Sequence, residues 1–239
     1  MIGFGTIINC IGIVIGGVLG LVFGNLMKER LREILMTATA LCVLFIGIGG
    51  ALQEMMTVEG NALSSGGTMM MIASFAIGSL IGVLLNLEYH IERFGEWLKQ
   101  KTGNANEAGF VDAFVTASLT VCIGAMAVVG AIQDGMEGDY SVLAAKAVLD
   151  LIIILIMTAS MGKGCIFSAI PVALFQGSIT LLAQFVKPFM TAAALSNLSF
   201  VGSMMIFCVG ANLFWNMKIR VANMLPGLII AVLWAFLPI

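Results

Sequence analysis

The sequence predicts an all-α polytopic membrane protein with about eight transmembrane helices, and three observations carry that reading. Sixty per cent of the 239 residues are apolar and only 10% are charged, with a mean hydropathy of +1.09. Soluble domains carry about 25% charge and roughly 45–50% apolar residues, so this chain lacks the charge to cover a water-facing surface. The apolar residues also fall into runs near the ~20 residues a helix needs to cross a bilayer. Finally, the charged residues gather in the segments between those runs. The formal net charge of −2 offers no basic field to a polyanion, which excludes a nucleic-acid partner.

The candidate spans are 2–24, 34–54, 68–87, 109–132, 141–161, 165–186, 198–216 and 220–238 within a single integral membrane domain, 1–239. The first run is too long, and too poor in basic flanking residues, for a cleaved signal peptide, so it is taken as a mature span. Orientation follows from Lys and Arg. Lys28, Arg30, Arg32, Arg93, Lys99, Lys101, Lys163, Lys218 and Arg220 fall on one side, against Lys187 alone on the other. The positive-inside rule makes the richer side cytoplasmic and puts both termini outside. The outer loops are acidic, with Glu54 and Glu59 in one and Asp134, Glu137 and Asp139 in another. Segment 88–101 (EYHIERFGEWLKQK) spaces its apolar residues for a helix lying at the membrane surface, with Tyr89 and Trp97 as interface anchors.

The first half reads as a parallel repeat, roughly 1–55 and 68–135. GALQE (50–54) and GAIQD (130–134) stand 80 residues apart, and IGGVLG (15–20) resembles IGSLIG (77–82). Transporter sites often lie between such repeats. Gly12, Gly16, Gly20 and Gly24 form a four-residue stripe, matched by Ser74, Gly78 and Gly82. Small stripes let helix backbones approach where lipid gives no hydrophobic drive. The two stripes are expected to face each other or a second protomer, or to pack within one subunit, which leaves a homo-oligomer open.

Polar residues inside spans point to function. Asp150 lies about nine residues into the fifth span, or ~14 Å deep at 1.5 Å per residue, where a charge is costly. Lys146 is one turn earlier, on the same face. The two read either as a structural ion pair, with Lys146 reaching outward, or as the polar wall of an ion or substrate path. Asp112, Thr116 and Thr120 give the fourth span one polar face. Gln53 and Gln133, each followed by an acid (Glu54, Asp134), would place oxygens suited to a hard cation near one outer mouth. Pro171 and Gln176–Gly177 are expected to break the sixth span, and Pro226–Gly227, just after Asn223, the eighth. Asn9, Asn197, Asn212 and Asn216 supply amides that bind or glue helices.

Five scattered cysteines with no CxxC pair suggest neither a disulfide framework nor a metal site. No metal and no cofactor are called for. His90 is the sole histidine, and HExxH, GxSxG and GxxxxGK[ST] are absent, so neither an enzyme nor an ATP motor is expected. Segments 122–150, 168–183 (SAIPVALFQGSITLLA) and 218–228 (KIRVANMLPGL), with the opening GTIIN (5–9), resemble the YdfK/YqgA-type bacterial inner-membrane proteins, a family of unknown function. The resemblance spans essentially the whole chain. It implies a multi-pass protein of the bacterial inner membrane and brings no established site residues.

The expectation is a transporter or channel for an unknown small solute or ion in the lipid bilayer. Its concrete form makes Asp150 the titrating group of a midplane cavity lined by Gln176, Thr116 and Thr120. The alternative is a non-transporting partner subunit or sensor acting through helix contacts.

Overall fold

The computed structural model describes all residues except 1, 27, 60, 61, 238 and 239. The long helices are α1 (Phe4–Leu26), α2 (Glu29–Met55), α3 (Thr68–Leu84), α4 (Leu87–Lys101), α5 (Phe110–Cys122), α6 (Ala125–Glu137), α7 (Ser141–Met161), α8 (Ala169–Leu181), α10 (Ala192–Trp215) and α11 (Pro226–Trp234), with a four-residue α9 (Ala183–Val186). Short 3-10 turns at Lys163–Ser168 and Val221–Met224 lead into α8 and α11. An antiparallel hairpin, β1 (Met56–Glu59) with β2 (Ala62–Ser65), lies in the connector between α2 and α3.

Five stretches are long and apolar enough to cross a bilayer alone: Phe4–Gly24, Glu33–Met55, Ser141–Met161, Lys163–Leu181 and Ala192–Trp215. Two bent pairs, α3 with α4 (56°) and α5 with α6 (62°), bring the number to seven. Val221–Trp234 is apolar but shorter than a span. By length and composition the described residues thus give five to seven candidate spans, and the last of the eight expected, 220–238, falls short of span length within them.

The breaks also move. Pro171 sits in the first turn of α8, and Pro226 opens α11. A proline there lacks only an N–H that would have no helical partner anyway, so neither helix is interrupted. Gln176–Gly177 likewise lies inside an unbroken α8. The real interruption is at Ile123–Gly124, inside the expected fourth span. Gly124 adopts φ 148°, ψ 151°, a backbone state that side-chain-bearing residues avoid.

Helix pairing follows the small residues. The α1 stripe lies along α7 in parallel. A Cβ on Gly12 would meet the Ala147 carbonyl at 2.9 Å, and one on Gly24 the Ala159 carbonyl at 3.0 Å. Gly16 and Gly20 press still closer to the carbonyls of Leu151 and Leu155. The α3 stripe instead packs antiparallel on α11 and the turn before it, with Gly78 against Gly227 and Gly82 against Asn223. The stripes therefore do not face each other. Each meets a helix of the second half. In the same way α2 pairs antiparallel with α10, Gly47 lying against Phe207 and Gly210 against Leu44. Close backbone contact supplies dispersion where burial from water supplies none. α4 turns its Gly95 and Leu98 toward α5 and leaves Tyr89 and Trp97 exposed, as an interface helix would.

Candidate functional site

The site is assembled around the break between α5 and α6. In a continuous helix the Val121 carbonyl would accept from the amide of residue 125, and the break at Gly124 releases it. Lys146 Nζ donates to that oxygen at 2.8 Å and to Asp150 Oδ2 at 2.5 Å. Lys146 is 7% exposed and Asp150 3%. The lysine thus turns inward, not outward to the interface as expected, and is held by two acceptors. A buried ion pair persists only when its remaining hydrogen-bonding capacity is met, and the freed carbonyl meets part of it.

α1 and α8 extend the polar centre. Asn9 and Gln176 are both fully buried. Asn9 Nδ2 donates to Gln176 Oε1 at 3.2 Å, and Asn9 lies beside the Asp150 carboxylate. Asn9 Oδ1 and Gln176 Nε2 have no partner among the described residues, nor do the hydroxyls of Thr6 and Thr180. Buried polar atoms are overwhelmingly paired in native proteins, so four such atoms on two touching helices point to a ligand or water.

Asp134 is fully buried and accepts from the backbone N–H groups of Gly3 (3.2 Å) and Gly5 (3.0 Å). A carboxylate there satisfies two orphan donors at the start of α1 and suits the positive end of the helix dipole. Phe4 packs edge-on against Tyr140 beside it, at 5.2 Å. Just beyond, in the connector before α7, the Ser141 backbone and side chain hold the exposed Asp139 carboxyl below its usual range.

Of the residues singled out by sequence, Lys146, Asp150 and Gln176 come together. Thr116 and Thr120 do not extend that cluster: Thr120 Oγ1 donates to the Thr116 carbonyl at 2.8 Å, inside α5. Asp112 is exposed in the first turn of α5. Gln53 is exposed, and Glu54 accepts from Ser196 at 2.6 Å, so that acid and Asp134 serve different helices rather than one mouth. Gln133 is half-buried, with Oε1 unpartnered. Asn223 is 4% exposed and accepts from the Glu88 N–H at 2.9 Å. Asn197 donates to the Ala231 carbonyl and so ties α10 to α11, while Asn212 exchanges two bonds with Ile219 and ties α10 to the connector after it. Thr6 and Thr180 were missed. Their signal was spacing: Thr6 stands three before Asn9 and Thr180 four after Gln176, each on one helix face.

The expected cavity around Asp150 is not where the large space lies. A cavity of about 720 Å³ opens on the other side of the break, lined by Cys122, Ile123, Val128, Phe175, Leu228 and Val232 among others. Its wall is almost wholly apolar, and neither Asp150 nor Gln176 lines it. A smaller polar recess of about 390 Å³ lies between α4 and Val221–Met224, lined by Asn86, Glu88, Tyr89, Glu92, Arg220 and Asn223. Among the described residues no three His, Cys, Asp or Glu side chains gather to hold a metal ion.

The chain is similar to two curated bacterial proteins. It is 29% identical over 227 residues to the uncharacterized membrane protein YdfK of Bacillus subtilis (strain 168), covering 95% of this chain and 93% of that one. It is 26% identical over 231 residues to the uncharacterized protein YqgA of Escherichia coli (strain K12), covering 95% and 94%. No solved structure matches it significantly. The family model described as a protein of unknown function, DUF554, matches residues 4–236, and the chain belongs to that family.

Proposed function

We propose that this protein is a transporter or channel for a small solute or ion in the bacterial inner membrane, with no ATP motor of its own. In this reading the chain crosses the bilayer eight times, the short apolar Val221–Trp234 serving as the last crossing, and both termini lie outside. One observation carries the reading: a buried Lys146–Asp150 pair held against the freed carbonyl of a broken helix. Charges inside a membrane are costly and usually mark pathways, and interrupted helices usually line them. The pair is closed here, so the open path needs Lys146 to leave either Asp150 or Val121. The repeated acids support a duplicated origin, since Glu54 bonds Ser196 early in α10 and Asp134 bonds the start of α1.

The test is flux through the full chain in lipid vesicles, with Na⁺, K⁺, H⁺ and Cl⁻ gradients as probes. Wild type carries at least one of them above protein-free vesicles. Asp150→Asn lowers that flux about tenfold or more, the effect of ~1.4 kcal/mol. Unchanged flux in folded Asp150→Asn contradicts the reading. One observation favours a second reading, a non-transporting partner subunit: the apolar cavity beside Ile123 offers a partner helix a seat. Co-purification of a stoichiometric membrane partner, with no flux of any probe, would establish it.

A further inference from the structure

The contact between α1 and α8 contains hydrogen-bonding groups that the protein leaves open. Three contacts set its direction. Gly17 faces Ile166, Cys10 Sγ donates to the Ala169 carbonyl, and Asn9 donates to Gln176. Residue numbers fall on α1 as they rise toward and along α8, so the two run antiparallel. Thr6 and Thr180 therefore both lie on the same side of the Asn9–Gln176 bond. That side leads to Asp134, which holds Gly3 and Gly5. Gly135, the next residue on α6, lies directly against the Thr180 carbonyl.

The open atoms are thus ordered along one seam. Asn9 lies beside Asp150 and bonds Gln176, and the hydroxyls of Thr6 and Thr180 continue toward Asp134. All four residues are more than nine-tenths buried: Asn9 and Gln176 at 0%, Thr180 at 3% and Thr6 at 7% exposure. None is charged. The open set mixes an acceptor (Asn9 Oδ1), a donor (Gln176 Nε2) and two hydroxyls that do both. Such a mixture suits water, which needs two to four polar partners. It suits a metal cation poorly, because a cation wants oxygens alone and would approach the Lys146 ammonium.

We propose that this seam is a water-bearing file that carries protons between the Asp134 end of the molecule and Asp150. The proton is then the ion to which the transport proposed above is coupled, and this part of the inference rests on that reading. In the transfer step a water of the file gives a proton to an Asp150 carboxylate oxygen and takes one from the next water outward. Lys146 stays an ammonium and keeps its bond to the Val121 carbonyl, while its ion pair with Asp150 is lost. The site then carries one positive charge, which favours onward release of the proton or movement of Lys146. The groups that act on Asp150 are Lys146 on α7, Cys10 on α1 and Cys122 at the end of α5. α8 brings no titratable side chain, and those of α2 and α6 stand in their terminal turns, apart from the exposed Cys42.

The experiment has two readouts on the full chain in vesicles. In a background with all five cysteines replaced by alanine, Thr6→Cys and Thr180→Cys are treated with methanethiosulfonate-ethylammonium from the face carrying Asp134. Both react at least about tenfold faster than Ser74→Cys, a fully buried residue on the α3–α11 seam. Thr6→Cys and Thr180→Cys as inert as Ser74→Cys overturn the file. The second readout uses unlabelled wild type with an entrapped pH dye and an imposed K⁺–valinomycin potential, so it does not depend on the cysteine variants folding. Wild type passes protons, Thr6→Val and Thr180→Val slow them about tenfold, and Asp150→Asn stops them. Labelling without proton passage overturns proton delivery, even where Na⁺, K⁺ or Cl⁻ flux persists and the transport reading stands. Proton passage with no flux of those ions supports this inference, while the transport reading then fails for them.

Discussion

The two sides of the broken α5–α6 helix differ in almost every physical respect. On one side Lys146, Asp150, Asn9 and Gln176 are packed without a large opening, tied by the ion pair and the Asn9–Gln176 bond, with Asn9 Oδ1 and Gln176 Nε2 left open. On the other, Ile123 and Val128 border about 720 Å³ of apolar space. Charge explains the contrast. A buried carboxylate needs fixed partners at hydrogen-bond distance, so the helices carrying it must stay close, and the glycines of α1 permit that closeness. An apolar wall makes no such demand, because acyl chains fill it as well as side chains do. The polar side is therefore the one where small changes carry large penalties.

The largest expected effect is on the ion pair itself. Lys146→Met or Asp150→Leu alone leaves an uncompensated buried charge and destabilises the fold by roughly 3–5 kcal/mol. The Lys146→Met/Asp150→Leu double variant regains most of that loss. Thermal unfolding in detergent, analysed as a double-mutant cycle, measures both, and additive losses would erase the contrast between the two sides.

Next is the seam that brings α1 onto α7. Gly16→Val pushes a side chain into the Leu151 backbone, which cannot give way, and destabilises by about 1–3 kcal/mol or more. Gly177, with nothing within 4 Å of its would-be Cβ, accepts alanine with no loss. Comparable losses at the two positions, read by the same melting assay, would remove close packing as the cause.

On the apolar side, Leu228→Trp fills space and changes stability by less than about 1.5 kcal/mol. A loss as large as that from Lys146→Met would mean the cavity is tightly packed in the membrane. The smallest effect lies outside both regions. The Asp139 carboxyl, held down by Ser141, contributes stability above its unfolded pKa that disappears as pH falls through the lower folded value. Asp139→Asn therefore melts slightly earlier at neutral pH, and the difference vanishes in acid. A difference that grows in acid would reverse the assignment.

Much of this was legible in the chain. Lys146 and Asp150, four residues apart in an apolar run, announce their pairing, and the four-residue spacing of the α1 glycines announces a close seam. The partner of that seam was not legible, because a stripe of small residues says that something packs there but not what. The break was misplaced onto Pro171 and Pro226 because proline is read as a breaker wherever it stands, while position within a helix decides its effect. Gly124 escaped notice in a glycine-rich chain. Thr6 and Thr180 escaped because threonine bonds its own helix backbone at little expense, as Thr39 and Thr120 do here. The cavity had no signal at all, since periodicity shows which side chains are apolar and not where the gap between them falls.

The central claim is that the Lys146–Asp150 pair carries transport and does not merely hold helices together. The charge-free Lys146→Met/Asp150→Leu variant separates the two roles. Reconstituted in vesicles and shown to melt near wild type, it should pass none of the probe ions that wild type passes. Wild-type flux through that folded, uncharged variant would contradict the account.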